Sequence, residues 1–407
     1  MTYIEFFERT DTENICAALT GTPDRVVFVG KDKRLMEKAV TRYKRVLENR
    51  GCSTEFVIKT ADSSRLDEIV KALDRIVCDY GQCLFDLTGG QDLYLVAAGI
   101  VHERNPHKTE LVRFDIPSGT AIDCDGNNYP SFAPLPALRV DENVALYGGR
   151  IIYGDGATHR WKITDELLRD IDTMWDICKR DVKRWNRLSG LFEAVDKISG
   201  EGTKLVSDAN ISLLSTYTET LVTKSNFDTE TLELLKKGGL INSWEFNGNK
   251  FKVSYKNEAI KKCLTKAGQV LEMKIFASAL KTVGKDGALT YGDVETGVCI
   301  DWDGETKGVD TENEIDVMMM HGMIPVFVSC KNGFVETDEL YKLNTVAHRF
   351  GAKYAKKALV ASSLDLNSSF GKILGQRADE MDIKILASEI TNMSNGEICK
   401  KIRSFCK

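Results

Sequence analysis

Between Arg25 and Phe114 short apolar runs alternate with amphipathic stretches. RVVFV (25–29) ends at Gly30 and a charged helix pattern follows it. TEFVI (54–58) precedes a helix over roughly 63–79, and CLFDL (83–87) leads through TGG into the helix QDLYLVAAGIVHE. ELVRF (110–114) supplies another strand. Apolar runs of this length, alternating with helices, predict βαβ units and a parallel sheet covered on both faces. The first 115 residues thus read as a Rossmann-like unit. Residues 115–155 are rich in Gly, Asn and Asp and predict short strands in hairpins that close it.

From Thr164 to about Ser199 the pattern turns helical, with Leu167, Leu168, Ile171, Trp175 and Ile177 near one stripe. Residues 228–257 predict a helix, then a hairpin turning at Asn247–Gly248. That order fits either a winged-helix-like module or an ordinary α+β linker. A second α/β pattern opens with a helix over roughly 258–282. Strands in YGDVETGVCIDWD, NEIDVMMMH and IPVFVSC follow, then a helix over about 337–350. KALVASS and IKILAS are further strands, separated by a helix. The reading is an α/β protein with three parts: 1–155, 156–257 and 258–407.

A chain of 407 residues can hold two or three cores. No apolar run approaches the length of a membrane span, and the acidic N-terminus lacks the basic start of a signal peptide. The 11 cysteines include no CxxC pair, and no histidine lies near Cys78 and Cys83 to complete a zinc pattern. Reduced thiols in a cytoplasmic protein are expected. The formal charge of −5 is not that of a strongly basic nucleic-acid binder. A local patch can still carry such a contact. Residues 31–50 hold eight basic against three acidic residues, which suits a contact surface or a solvated helix face.

The chemistry concentrates in NEIDVMMMHGMIPVFVSCKNG, residues 313–333. Two strands are expected to run antiparallel around His321–Gly322, with His321 belonging to the turn. Glu314 and Asp316, two apart, share a face, as do Ser329 and Lys331. A lysine closing a wholly apolar strand costs free energy unless it is paired or used. Carboxylates on one strand facing a lysine on the next can serve phosphodiester hydrolysis. They bind a hard cation such as Mn²⁺ or Mg²⁺, the cation activates water, and the lysine steadies charge on the phosphate. The plainer reading of Asp316 and Lys331 is a buried ion pair.

Two further loops, DLTGGQDL (86–93) and the turn at Gly30, follow strands and open helices. Glycine there lets the backbone approach a phosphate, and free N–H groups at a helix start attract anions. Ligands bind open α/β sheets at these strand ends. No GxGxxG is present, which argues against a dinucleotide cofactor. Tight strand-to-helix packing is the other use for Gly89 and Gly90.

A helix glutamate, a strand aspartate and then (D/E)xK on the next strand form the pattern of PD-(D/E)xK nucleases, which this chain resembles. By that resemblance Glu272 is the helix glutamate, Asp316 the central aspartate and Ser329-Cys330-Lys331 the last element. Ser329 stands where a carboxylate is usual. The resemblance implies metal ligation by Asp316 with Glu272 or Glu314, or a main-chain carbonyl near Cys330. Together with the TGG loop, the chain resembles the CRISPR-associated Rossmann fold (CARF) nucleases of type III CRISPR systems. This implies a homodimer whose paired sensor domains bind one cyclic oligoadenylate, usually the tetra-adenylate. Gly30, Lys31, Asp32, Thr88, Gly89, Gly90 and Gln91 would line the pocket. It also implies cleavage of single- or double-stranded DNA, of RNA, or of both. Two other readings stay open. One is a non-enzymatic regulator that binds DNA through 228–257, with Lys236, Lys237, Lys250 and Lys252 supplying charge. The other is a sensor domain that degrades its own activator.

Overall fold

The computed structural model describes every residue except 22, 130, 131, 155, 156, 201, 203, 219 and 305–311. Strands β1 (Thr2–Phe6), β2 (Arg25–Gly30), β3 (Glu55–Thr60), β4 (Cys83–Asp86), β5 (Thr109–Asp115) and β6 (Thr120–Ile122) form the first sheet. Their order is β3-β2-β1-β4-β5-β6, parallel from β3 through β5, with β6 antiparallel at the edge. Alternation along β2 sends Val26 and Phe28 to one face and Val27 and Val29 to the other. Helix Lys33–Asn49 covers the first face, and helices Leu66–Tyr80 and Asp92–Arg104 cover the second.

In this first part of the chain two features depart from the sequence reading. The N-terminal TYIEF is a strand, β1, and it lies at the centre of the sheet. Residues 140–146, within the stretch expected to form hairpins, form the helix Val140–Leu146. Its apolar positions Val140 and Val144 are four apart and buried together. Glu142 caps its start by accepting from the Arg139 N–H at 2.8 Å and pairs with Arg50 at 2.6 Å.

The chain then forms the two-residue strand β7 (Arg150–Ile151) and helices Asp165–Cys178 and Val182–Ser199. Thr164 caps the first of these helices, accepting from the Leu167 N–H at 3.1 Å. Strands β8 (Val206–Asn210), β9 (Ile241–Asn247) and β10 (Lys250–Tyr255) form an antiparallel sheet in the order β8-β10-β9. Helices Ile211–Thr218 and Thr229–Lys237 lie between β8 and β9. This is a winged-helix-like order, and Gly248 makes the hairpin turn at φ 58°.

The last sheet combines β11 (Asp293–Asp301), β12 (Glu312–His321), β13 (Ile324–Lys331), β14 (Lys356–Ala361) and β15 (Ile383–Leu386) with β7. Its order is β15-β14-β13-β12-β11-β7. The helix expected over 258–282 is two helices, Glu258–Thr265 and Gln269–Leu280. Gly268 breaks them apart at φ 87°, a left-handed conformation that glycine accepts without strain. The expected 155/156 boundary lies outside the described residues. Just before it, β7 pairs with β11 through Ile300↔Ile151 and Asp301↔Arg150. One apolar core runs from Phe28 and Tyr43 through Leu146 and Tyr147 to Ile300 and Phe350, so the two large sheets share packing. No helix among the described residues is long and apolar enough to cross a membrane.

Candidate active site and a second pocket

Strands β12 and β13 pair from His321↔Ile324 to Val317↔Val328 and then part. Beyond that point β13 continues beside β14, with Ser329↔Leu359 and Lys331↔Ala361, while β12 stays with β11. Asp316 sits at the fork. Its Oδ2 accepts from the Cys330 N–H at 2.6 Å and from the Ser329 hydroxyl at 3.2 Å. The carboxylate thus takes the ladder bond that a paired strand would have supplied. A cavity of 260 Å³ opens in the fork, with Asp316, Ser329, Lys331, Glu314 and Glu339 on its wall.

Glu272, in the first turn of Gln269–Leu280, is 6% exposed and its Oε2 accepts from Gln269 Nε2 at 2.9 Å. Burial raises its pKa well above the usual carboxylate range, and repulsion from Asp316 raises it further. Lys266 and Lys331 oppose that rise. Burial also raises Asp316, against the Cys330 N–H, which favours the charged form. Burial alone would lower Lys331, but Asp316 and Glu339 outweigh it and leave the ammonium favoured. Lys331 Nζ lies 3.0 Å from Glu339 Oε2, and Lys266 Nζ lies 3.0 Å from Glu314 Oε1. The five residues read from the sequence therefore gather at one end of the sheet. His321 stays in the turn, where its Nδ1 lies 2.7 Å from the Thr290 carbonyl oxygen.

Glu339 was not legible in the sequence. It belongs to the first turn of helix Asp338–Gly351, and only the return of that helix over β13 brings it to Lys331. Among the described residues, no three His, Cys, Asp or Glu side chains stand ready as a metal-binding group.

The glycine loops divide their work. A cavity of 640 Å³ lies at the C-terminal ends of β1, β2 and β4. Lys31, Asp32 and Gln91 reach it, together with Arg9, Lys33 and Arg34. Asp32 also caps helix Lys33–Asn49 by accepting from the Leu35 N–H at 3.0 Å. Gly30 ends β2 beneath this pocket, where an added Cβ would meet Met36 Sδ at 3.0 Å. Thr88 points elsewhere: its hydroxyl donates to Asp86 and accepts from the Phe114 N–H at 2.7 Å. Gly90, at φ 106°, lies where a Cβ would strike Phe6, and a Cβ on Gly89 would meet Glu8 and Glu13. Arg9 lies three residues past the end of β1 and carries no local sequence signal of its own.

In the winged-helix-like region, Lys250 pairs with Asp208 and Lys252 with Glu245. Lys236 and Lys237 share the exposed side of their helix with Glu230 and Glu233. The charge there is balanced rather than basic.

No protein-family model matches the sequence, and no curated protein matches it significantly. Solved structures do match. Protein VC1899 from Vibrio cholerae superposes with a TM-score of 0.74 at 15% identity, over 99% of this chain and 97% of that one. Can2 from Sulfobacillus thermosulfidooxidans, solved with cyclic tetra-adenylate, gives 0.64 at 16% identity over 99% and 97%. A type III CRISPR defence DNA nuclease activated by cyclic oligoadenylate gives 0.50 at 14%, over 89% of this chain and 45% of that one. At such identities the likeness is one of fold, and over 99% of its length this chain shares the α/β architecture of the Can2 structure, with two large mixed sheets.

Proposed function

We propose that this protein is a divalent-metal-dependent nuclease of type III CRISPR defence, switched on by cyclic oligoadenylate bound between the sensor domains of a homodimer. Cyclic tetra-adenylate is the activator expected, because the Can2 structure of the same fold holds it. The observation that carries the reading is the fork at Asp316. Asp316 and Lys331 line an open cleft between the parted strands, and the buried carboxylate of Glu272 lies near enough for the charge of Asp316 to raise its pKa.

The donor set suits a hard cation only in part. Asp316 raises the pKa of Glu272, and Glu314 raises that of Asp316, a repulsion that a divalent ion would relieve. Ser329 offers a hydroxyl where a third carboxylate would serve. Mn²⁺ or Mg²⁺ would therefore rest on Asp316 and Glu272, with water and main-chain oxygen completing the shell and Glu314 at the rim. When bound, the ion supplies Lewis acidity and an activated water. Lys331 holds positive charge toward the phosphate, and Glu339 fixes its direction.

The sensor pocket offers four cations, Arg9, Lys31, Lys33 and Arg34, to an anionic ligand. A route from pocket to cleft supports the allosteric part. Gly89 rests against Glu13, which is 2% exposed. Glu13 accepts from Tyr354 Oη and Lys353 Nζ, both at 2.7 Å. Those residues follow directly on helix Asp338–Gly351, whose other end carries Glu339. A ligand shifts such a system only by binding one arrangement better than another. Incubation with plasmid, single-stranded DNA and RNA in Mn²⁺, with and without cyclic tetra-adenylate, tests the reading. Activator-dependent cutting is expected, and no cutting of any substrate would remove it.

A further inference from the structure

Three residues beyond Lys331, Phe334 is 80% exposed. Its ring stacks on Phe370, 38% exposed, with centroids 5.9 Å apart and planes 23° from parallel. The two come from different elements. Phe334 lies in the loop that joins β13 to the Glu339 helix, and Phe370 is the second residue of helix Ser369–Glu380. Ile373, one turn on, is 55% exposed. Large exposed aromatics on a soluble surface mark contact sites when they cluster.

The platform is held in place. Asn332, 5% exposed, donates from Nδ2 to Asn186 Oδ1 at 2.9 Å and accepts from the Ser362 hydroxyl at 2.7 Å. Asn186 Nδ2 donates in turn to the Asn332 carbonyl. The loop is therefore pinned one residue after Lys331, and Phe334 is presented from a fixed base. The same bonds bring helix Val182–Ser199 alongside. Lys183 and Arg187, one turn apart and exposed, flank Asn186 on it.

We infer that Phe334 and Phe370 stack unpaired bases of a single-stranded nucleic acid beside the cleft, while Lys183 and Arg187 follow its phosphates. The inference rests on the nuclease reading and narrows its substrate. Aromatic rings beside a cationic track are the means by which proteins hold single strands without regard to sequence. Phe334 lies within roughly 10 Å of Lys331 along the chain, so a stacked base would sit a few nucleotides at most from the scissile phosphate. In a duplex the base faces are already stacked on one another and offer the rings nothing.

The test is fluorescence anisotropy of labelled oligo-dT, of the same backbone without bases, and of a duplex. It uses the full-length protein with cyclic tetra-adenylate. Wild type binds oligo-dT at least about tenfold more tightly than the abasic strand, since stacking is worth about 1–3 kcal/mol per base. Phe334→Ala with Phe370→Ala removes that difference and leaves abasic binding unchanged, and Phe334→Trp keeps it. Equal binding of oligo-dT and abasic strand by wild type, or full retention by the double variant, overturns the platform. A change in light-scattering mass on Phe334→Ala assigns the patch to a second copy of the chain and overturns it also. Cutting and binding of no nucleic acid by wild type removes the nuclease reading and the platform with it. Normal cutting by the double variant removes the platform alone.

Discussion

Glu339 Oε2 lies 3.0 Å from Lys331 Nζ, across the cleft mouth from Asp316. The glutamate stabilises the charged lysine against a burial that opposes it. Glu339→Gln keeps the shape and removes the charge. The lysine pKa then falls, and the alkaline limb of the pH–rate profile moves to lower pH. Activity drops about 10–100-fold, as for other partners that orient a reacting group. An unmoved limb would make Glu339 a structural residue only.

Glu272 gives a second pH dependence, in stability. Its folded-state pKa is raised by burial and by Asp316, so the protonated form fits the fold best. Stability from this group is fully present below the ordinary glutamate range, about pH 4.3, and is lost as pH climbs through the raised folded value. In EDTA, Glu272→Gln should therefore match wild type in acid and melt at higher temperature in alkali. The gain is on the order of 4 kcal/mol, each unit of a pKa raised to about 8 being worth about 1.4 kcal/mol. Thermal melts at the two extremes check this, and Mn²⁺ should stabilise wild type more than the variant.

Tyr354 and Lys353 meet Glu13 on the path from the TGG loop. Tyr354→Phe removes one bond at a distance from both sites. Cyclic tetra-adenylate should still bind, but its stimulation of cutting should fall about fivefold or more, the lower end of ordinary coupling energies. Paired titrations of ligand binding and of activation separate the two effects. Undiminished stimulation would send the coupling through another contact.

Arg9 and Arg34 line the cavity at the ends of β1 and β2, whereas Thr88 is tied to Asp86 and Phe114. Arg34→Ala should weaken cyclic tetra-adenylate binding by roughly tenfold, the scale of one charge-assisted hydrogen bond. Thr88→Val should instead lower the melting temperature, because it strands the Phe114 N–H and an Asp86 carboxylate that burial already pushes up to about 7. Calorimetric titration and melts distinguish them.

Particular residues explain what the sequence made legible. Asp316 and Lys331 could be placed because period-two alternation and the His321–Gly322 turn fix which side chains share a face. Most strands of the two large sheets were marked by their apolar runs. Glu339 could not be placed, because it reaches the cleft through a helix returning over the sheet, a relation no local pattern encodes. TYIEF was hidden by its brevity at the chain start, yet it occupies the centre of the first sheet. The Gly-, Asn- and Asp-rich stretch 115–155 misled at 140–146, because composition alone does not separate a hairpin strand from a short helix. Gly268 breaks a helix pattern that is otherwise continuous, which only its positive φ reveals.

The central claim is that the fork at Asp316 is where phosphodiester bonds are cut. The most direct measurement is single-turnover cleavage of labelled single-stranded DNA and RNA in Mn²⁺ and cyclic tetra-adenylate, by wild type, Asp316→Asn and Lys331→Ala. Each substitution should lower the rate by at least about 100-fold, the scale on which charge stabilisation at a reacting phosphate acts, with activator binding intact. Activator-dependent cutting at the wild-type rate by both variants would contradict the account.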